Sequence, residues 1–246
     1  MTYCVGMMLD KGLVFMSDTR TNAGLDNIST FRKTTVWEKD GDRFLALMAS
    51  GNLATTQAVV SLLNERAKHP DDRQPDLMDA PSMFQAARLV AATLREVVAQ
   101  QSREGGLEAS GTFNATLIFG GQIAGSPPRL FLIYPEGNFI EAGADTPFFQ
   151  IGETKYGRPI LVRAYEPGLS FEEAMKLLLV SFDSTVKANL SVGAPFDYLA
   201  YETDSFQAAF AGRIAVDDPY YSEISHGWGA ALKEALDRLP AFEVKE

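Results

Sequence analysis

Met1-Thr-Tyr-Cys-Val-Gly-Met-Met-Leu-Asp-Lys-Gly-Leu-Val-Phe-Met-Ser-Asp-Thr-Arg20 opens the chain as two apolar runs, 2–9 and 13–18, on either side of Asp10-Lys11-Gly12. A three-residue connection ending in glycine predicts a hairpin built on a type I turn and a left-handed residue. With Leu9 paired to Leu13, Thr2 falls opposite Arg20 and diagonal to Asp18, so the three share one face. An ordinary N-terminal hairpin accounts for this much. Position 2 adds chemistry. Aminopeptidases that remove the initiator Met accept only small second residues, Thr among them, so the mature chain is expected to begin at Thr2. A Thr with a free α-amine carries a nucleophilic hydroxyl and a base in one residue.

Composition narrows the partners. The 246 residues carry a formal net charge of −10 and are 46% hydrophobic. That length can bury a full core, and no linker-like break divides it, so one domain over 1–246 is expected. The acidic balance argues against nucleic acid or an anionic membrane as partner. No run reaches the length of a membrane span, and the N-terminus lacks the pattern of a signal peptide. Cys4 is the single cysteine and lies in an apolar run, which points to a core thiol and a cytoplasmic setting. Only His69, in a polar loop, and His226, near the C-terminus, are present, and both are expected at the surface. A His-based triad or metal site has little material to work with, and no metal or cofactor is expected.

Beyond the hairpin, Thr21 to Gly24 reads as a turn, and a short segment from Ser29 to Thr35 carries Arg32 and Lys33. Strands are expected at 34–38 and 43–49, joined by Lys39-Asp-Gly-Asp42. Ser50-Gly51-Asn52 breaks the second of them, and apolar residues then recur at helical spacing to Lys68. A Pro- and Asp-rich loop over 69–80 leads to a second helix from Pro81-Ser82 to Gly105-Gly106. Strands follow at 113–119, 130–134, 138–142 and 148–151. Ser170-Phe-Glu-Glu173 is a capping-box match opening a third helix. Strands at 196–203 and 208–216 and a helix at 222–239 close the chain. Several early strands are apolar on both faces, so their sheet needs cover on both sides. An α+β chain with two stacked sheets and helices outside each satisfies that requirement.

In such a frame the Thr2 α-amine, with an ordinary pKa of about 7.7–8.0, can act as base for its own hydroxyl. Lys33 is the candidate ammonium that holds the amine partly neutral, and Asp18 the carboxylate that keeps Lys33 charged. Gly51, at the strand-to-helix turn, could offer a backbone N–H to an oxyanion. A solvated Asp, a surface Lys and a simple turn Gly are the plain alternatives.

The segments Leu13-Val-Phe-Met-Ser-Asp-Thr-Arg-Thr-Asn-Ala-Gly24, Lys33 and Ala49-Ser-Gly-Asn-Leu-Ala-Thr-Thr-Gln-Ala58 resemble the proteasome β-subunit family. Ser50 to Gln57 and Ile151-Gly-Glu-Thr-Lys-Tyr-Gly157 look most like its bacterial ancestral β-subunit branch. The resemblance implies a four-layer αββα sandwich of the N-terminal-nucleophile hydrolases, cleaving peptide bonds. By position it makes Thr2 the nucleophile, Asp18 and Lys33 its charge partners and Gly51 the oxyanion donor. Asn22, Gly51 and Leu53 would line an extended peptide. Ala49 and Leu53 would shape an apolar first specificity pocket. Asp183 matches an Asp that lies behind the N-terminus in the family, and Ser191 is the less well aligned Ser of the same pair. Where the family has a Gly-Ser-Gly loop, this chain has Gly152-Glu153-Thr154, and Lys33 stands one position early. Partners implied are a peptide or protein substrate and further copies of the chain, as a ring or open helical ring. An assembly subunit with a vestigial site, or an amidohydrolase of other substrates, is the alternative on the same scaffold.

Overall fold

Alternation in the first strands explains the layering. The computed structural model describes residues 2–22, 28–68, 76–105 and 113–244. β1 (Tyr3–Leu9) and β2 (Gly12–Asp18) form the predicted hairpin. Tyr3, Val5, Met7, Val14 and Met16 turn to one side and are buried against helices. Cys4, Leu13 and Phe15 turn to the other and are buried against a second sheet. Both faces are therefore core, as a doubly covered sheet requires.

The register differs from the sequence expectation by one residue. Leu9 pairs with Gly12 and Cys4 with Ser17, so the turn is the two residues Asp10-Lys11 and Gly12 belongs to the strand. Gly12 fits because a Cβ there would lie 2.0 Å from the Tyr201 carbonyl oxygen on the neighbouring strand. Continued one step, the ladder brings Asp18 level with Tyr3 and away from the face assigned to Thr2. A one-residue slip exchanges the faces of a whole strand.

Sheet one runs β10 (Phe148–Gly152), β1, β2, β11 (Phe196–Glu202), β12 (Ala208–Ile214), all neighbours antiparallel. Sheet two runs β5 (Thr34–Lys39), β6 (Arg43–Gly51), β7 (Ala115–Ile123), β8 (Arg129–Ile133), β9 (Phe139–Glu141). A separate ribbon pairs β3 (Arg20–Asn22) with β4 (Ile28–Thr30), where the sequence suggested only a turn.

Helices α1 (Leu53–Lys68) and α2 (Met83–Gly105) pack on sheet two through Val59, Leu63, Met83, Val90 and Leu94. α3 (Arg158–Ala164), α4 (Phe171–Ala188) and α5 (Pro219–Asp237) cover sheet one. The capping box opening α4 is formed at both ends, Ser170 with Glu173. The layers are helix, sheet, sheet, helix, which is the αββα sandwich. No described helix is long and apolar enough to cross a membrane.

Two glycines set the spacing between the sheets. A Cβ on Gly6 would meet Ile118 Cγ2 at 2.8 Å, and one on Gly120 would meet Leu130 Cδ1 at 2.8 Å, with the Phe15 ring close to both. Phe15 fills the space the two glycines leave. Gly6→Val is expected to overpack this layer and cost about 1–3 kcal/mol, read as a lower urea midpoint at unchanged m-value.

Candidate functional site

At the edge where the two sheets meet, the N-terminal strand is fixed by backbone before any side chain acts. The Thr2 carbonyl accepts the Glu153 N–H at 2.7 Å, and Tyr3 pairs with Gly152. Gly152 has φ +83°, and a Cβ there would stand 1.9 Å from the Thr2 oxygen. Only glycine lets the strands approach this closely. Tyr3 then anchors the strand to α4: its hydroxyl lies 2.7 Å from Ser181 Oγ and accepts from Gln150 Nε2 at 2.6 Å. Ser181 in turn donates to the Gly157 carbonyl.

Asp18, at the end of β2, is wholly buried. Its Oδ1 accepts the Tyr3 N–H at 2.9 Å and Lys33 Nζ at 2.7 Å. Lys33 also donates to the Arg20 carbonyl at 2.7 Å, and its side chain is only 6% exposed. Burial pushes the Asp18 carboxyl above its ordinary value, while the Lys33 charge, the Tyr3 amide and, least, the Gly193 amide oppose that rise. Oδ2 is buried without a hydrogen-bond partner among the described residues. An ammonium has three donors. Two of Lys33's are committed to Asp18 and Arg20.

Lys33 comes from the start of sheet two, where its carbonyl accepts the Ala49 N–H at 3.0 Å. A second tie across the sheets joins Ser17 Oγ to Thr34 Oγ1 at 3.0 Å. Gly51 ends β6 with φ +120°, and a Cβ there would fall 2.4 Å from the Asn114 oxygen. Asn52 follows, its side chain accepting the Thr55 N–H at 3.1 Å as α1 begins.

These elements enclose a cleft of about 370 Å³ that Thr2, Lys33, Ala49, Gly51 and Leu53 all line. Five of the positions singled out in the sequence therefore meet, and Asp18 lies directly behind Lys33. Asn22 lies in β3 beside Thr21, another lining residue. Met1 lies outside the described residues, as does His69. Asp183 and Ser191 do not join the group. Asp183 is buried on α4 and accepts from the Tyr221 hydroxyl at 3.3 Å, and the Ser191 N–H donates to Asn189 Oδ1. Neither hydrogen-bonds to Thr2, Asp18 or Lys33, nor lines the cleft, among the described residues.

The cleft wall is mixed in character, where an apolar one was expected for a first pocket. Ala49, Leu53 and Val60 supply apolar wall, but Thr35, Thr56, Gln57, Ser61 and Arg32 share it. Cys4 is buried, and burial pushes its thiol up, in keeping with a core role. No group of His, Cys, Asp and Glu able to hold a metal occurs among the described residues. The sequence reading passed over Tyr3, Ser181 and Gln150, which hold the N-terminal strand. Their apolar or helical contexts carry no local signal of a contact so distant in the chain.

The two stacked sheets, helices on each side and an N-terminal strand beside a buried Asp–Lys pair define a proteasome-type fold. The proteasome subunit family matches residues 2–196. Anbu (Gly-1) mutant from Hyphomicrobium sp. strain MC1 is 50% identical over 99% of this chain and 100% of its own, at a TM-score of 0.91. Anbu (ancestral beta-subunit) from Yersinia bercovieri is 48% identical over 99% and 100%, also at 0.91. The Anbu complex from Pseudomonas aeruginosa, solved as a helical assembly, is 48% identical over 98% of each chain, at 0.90. No curated protein matches the chain. The chain belongs to the proteasome subunit family, in the branch that contains Anbu.

Removing one member of the buried pair leaves an uncompensated charge. Asp18→Ala is expected to cost about 3–5 kcal/mol, and Asp18→Leu combined with Lys33→Met to recover most of it, measured by urea unfolding. Tyr3 gives a pH test. Burial raises its hydroxyl to about 12 from an ordinary 10, against the Ser181 and Gln150 hydrogen bonds. The fold keeps the proton that the unfolded chain releases, so this stability is intact below pH 10 and lost as pH rises through about 12. Unfolding at pH 8 and pH 11 should show a loss that is smaller by about 1 kcal/mol in Tyr3→Phe.

Proposed function

We propose that the chain is a threonine hydrolase that cleaves peptide bonds, with Thr2 as N-terminal nucleophile once Met1 is removed. The observation that carries this reading is Lys33. It is a buried ammonium held by Asp18 and the Arg20 carbonyl, in the cleft that Thr2 lines, with one donor still uncommitted among the described residues. That donor can stabilise the Thr2 alkoxide as it develops.

In the reaction the free α-amine takes the Oγ proton, and Oγ forms a bond to the peptide carbonyl carbon. The Gly51 N–H receives the charge on the tetrahedral oxygen. Collapse breaks the C–N bond, and the α-ammonium returns its proton to the departing amine. An ester on Thr2 remains. Water, deprotonated by the same amine, hydrolyses it and restores the hydroxyl. With Met1 attached the nitrogen is an amide and no base exists.

Self-association belongs to the same reading, by likeness to the Pseudomonas aeruginosa complex solved as a helical assembly. A cytoplasmic protein acting on peptide or protein substrates without a cofactor completes it. The second reading, an inactive assembly subunit, is favoured by Glu153, which stands where the family carries a Ser. An amidohydrolase acting on small amides is the third.

The experiment is intact mass followed by labelling. Mature protein should lack Met1 and gain one epoxyketone adduct, absent in Thr2→Ala. Lys33→Ala should lower kcat/KM by about 10²- to 10⁴-fold. Retained Met1, or equal inertness of wild type and Thr2→Ala toward a broad peptide library, would remove the peptidase and leave an assembly subunit.

A further inference from the structure

The mixed character of the cleft has a consequence for substrate, resting on the hydrolase reading above. The chain carries a net charge of −10, yet no carboxylate is among the described residues lining this cleft. Two cations are. The Lys33 charge is matched by Asp18 behind it. Arg32 is different: it is exposed at the cleft wall and makes no hydrogen bond or ion pair among the described residues.

A second positive element faces the same space. α1 begins at Leu53, on the cleft wall, and its first-turn N–H groups have no partners within the helix. The aligned peptide dipoles place roughly half a positive charge at that end. Natural helices often blunt it with Asp or Glu in the first turn, and α1 has none there. Asn52, a neutral side chain, caps the Thr55 N–H instead. The remaining wall is rich in neutral hydrogen-bonding groups: Thr35, Thr56, Gln57 and Ser61.

A free guanidinium, a helix start without acidic residues and a mixed wall rich in neutral hydrogen-bonding groups form a receptor for an anion. Thr2 and Gly51 both line the cleft, so on the hydrolase reading the side chain it takes is that of the residue whose carbonyl Thr2 attacks. We infer that this pocket selects an acidic side chain, and that the chain cleaves after Glu or Asp, with Arg32 as the specificity-determining residue. Arg32 can meet the carboxylate with two parallel N–H donors. A basic side chain is rejected by like charge, and a bulky apolar one leaves the wall hydroxyls and Arg32 desolvated.

The test uses mature protein with free Thr2 and fluorogenic peptides identical except for Glu, Gln, Leu or Arg before the leaving group. The readout is the Glu-to-Gln ratio of kcat/KM within each protein, because a variant that is only less stable lowers both rates together. Wild type should favour Glu by about tenfold or more, a charge-assisted contact. The ratio should fall toward one in Arg32→Ala and invert in Arg32→Glu, with the Arg peptide gaining. Raising salt to 0.5 M should shrink the wild-type preference, since the contact is partly solvated. Equal rates for Glu and Gln, or a Glu preference that survives Arg32→Glu, would overturn the acidic pocket. Labelling of Thr2 by an epoxyketone with Leu at this position would still support the hydrolase. No labelling and no turnover of any peptide would remove both.

Discussion

One buried contact organises the site end of the molecule: Asp18 Oδ1, receiving both Lys33 and the Tyr3 amide. The carboxylate gives up most of its hydration to sit there, and burial alone opposes its ionisation. Its partners come from two places, the first residue of β1 in sheet one and the segment entering sheet two. The pair therefore stitches the sheets together at the point where the N-terminus emerges. Such pairs add little net stability over an apolar substitute, but breaking one partner leaves an uncompensated buried charge. The pair and the Arg20 carbonyl together fix where the Lys33 ammonium sits.

The N-terminal strand is constrained from the other side by backbone alone. Glu153 and Gly152 grip the Thr2 carbonyl, and Tyr3 is tied to α4 through Ser181. Thr2 is thus held by its own carbonyl and its neighbour's ring, leaving its hydroxyl and nitrogen uninvolved in support. A terminus is ordinarily the least ordered part of a chain. Here the strand that begins beside Thr2 is sewn into a sheet covered on both faces, which holds that residue at a fixed place in the cleft wall.

Legibility in the sequence followed the range of each signal. Hairpins, the α1 and α2 helices and the Ser170–Glu173 capping box depend on residues a few positions apart, and they are found where local pattern places them. The hairpin register was misread by one because Gly12 looks like a turn glycine. Its small size is used across the sheet instead, against Tyr201. α3 was passed over: it is short, starts near Pro159 and buries Leu161 alone, so no periodicity accumulates. At the site, residue chemistry singled out Thr2, Asp18, Lys33 and Gly51, and resemblance assigned them the same roles. Asp183 and Ser191 carried over by position, yet Asp183 accepts from Tyr221 on α5 and the Ser191 backbone N–H donates to Asn189. The β3–β4 ribbon hid in a stretch that reads as turn and loop. Its register is fixed by chain neighbours such as the Phe31 amide on Thr19.

Splitting the site between two sheets makes its geometry a property of the whole sandwich. Thr2 and Asp18 ride on sheet one, while Lys33 and Gly51 ride on sheet two. The separation of those sheets is set by Phe15 lodged between Gly6 and Gly120, far along both strands. Close-packed interiors transmit small displacements instead of absorbing them. A change of one methyl group in that layer can therefore shift the Lys33 ammonium relative to the Thr2 hydroxyl, and on the hydrolase reading proposed above a misplacement of about 1 Å between those groups would cost on the order of a hundredfold in rate. The glycines between the sheets thus help to set the distance between Thr2 and Lys33, although they touch neither.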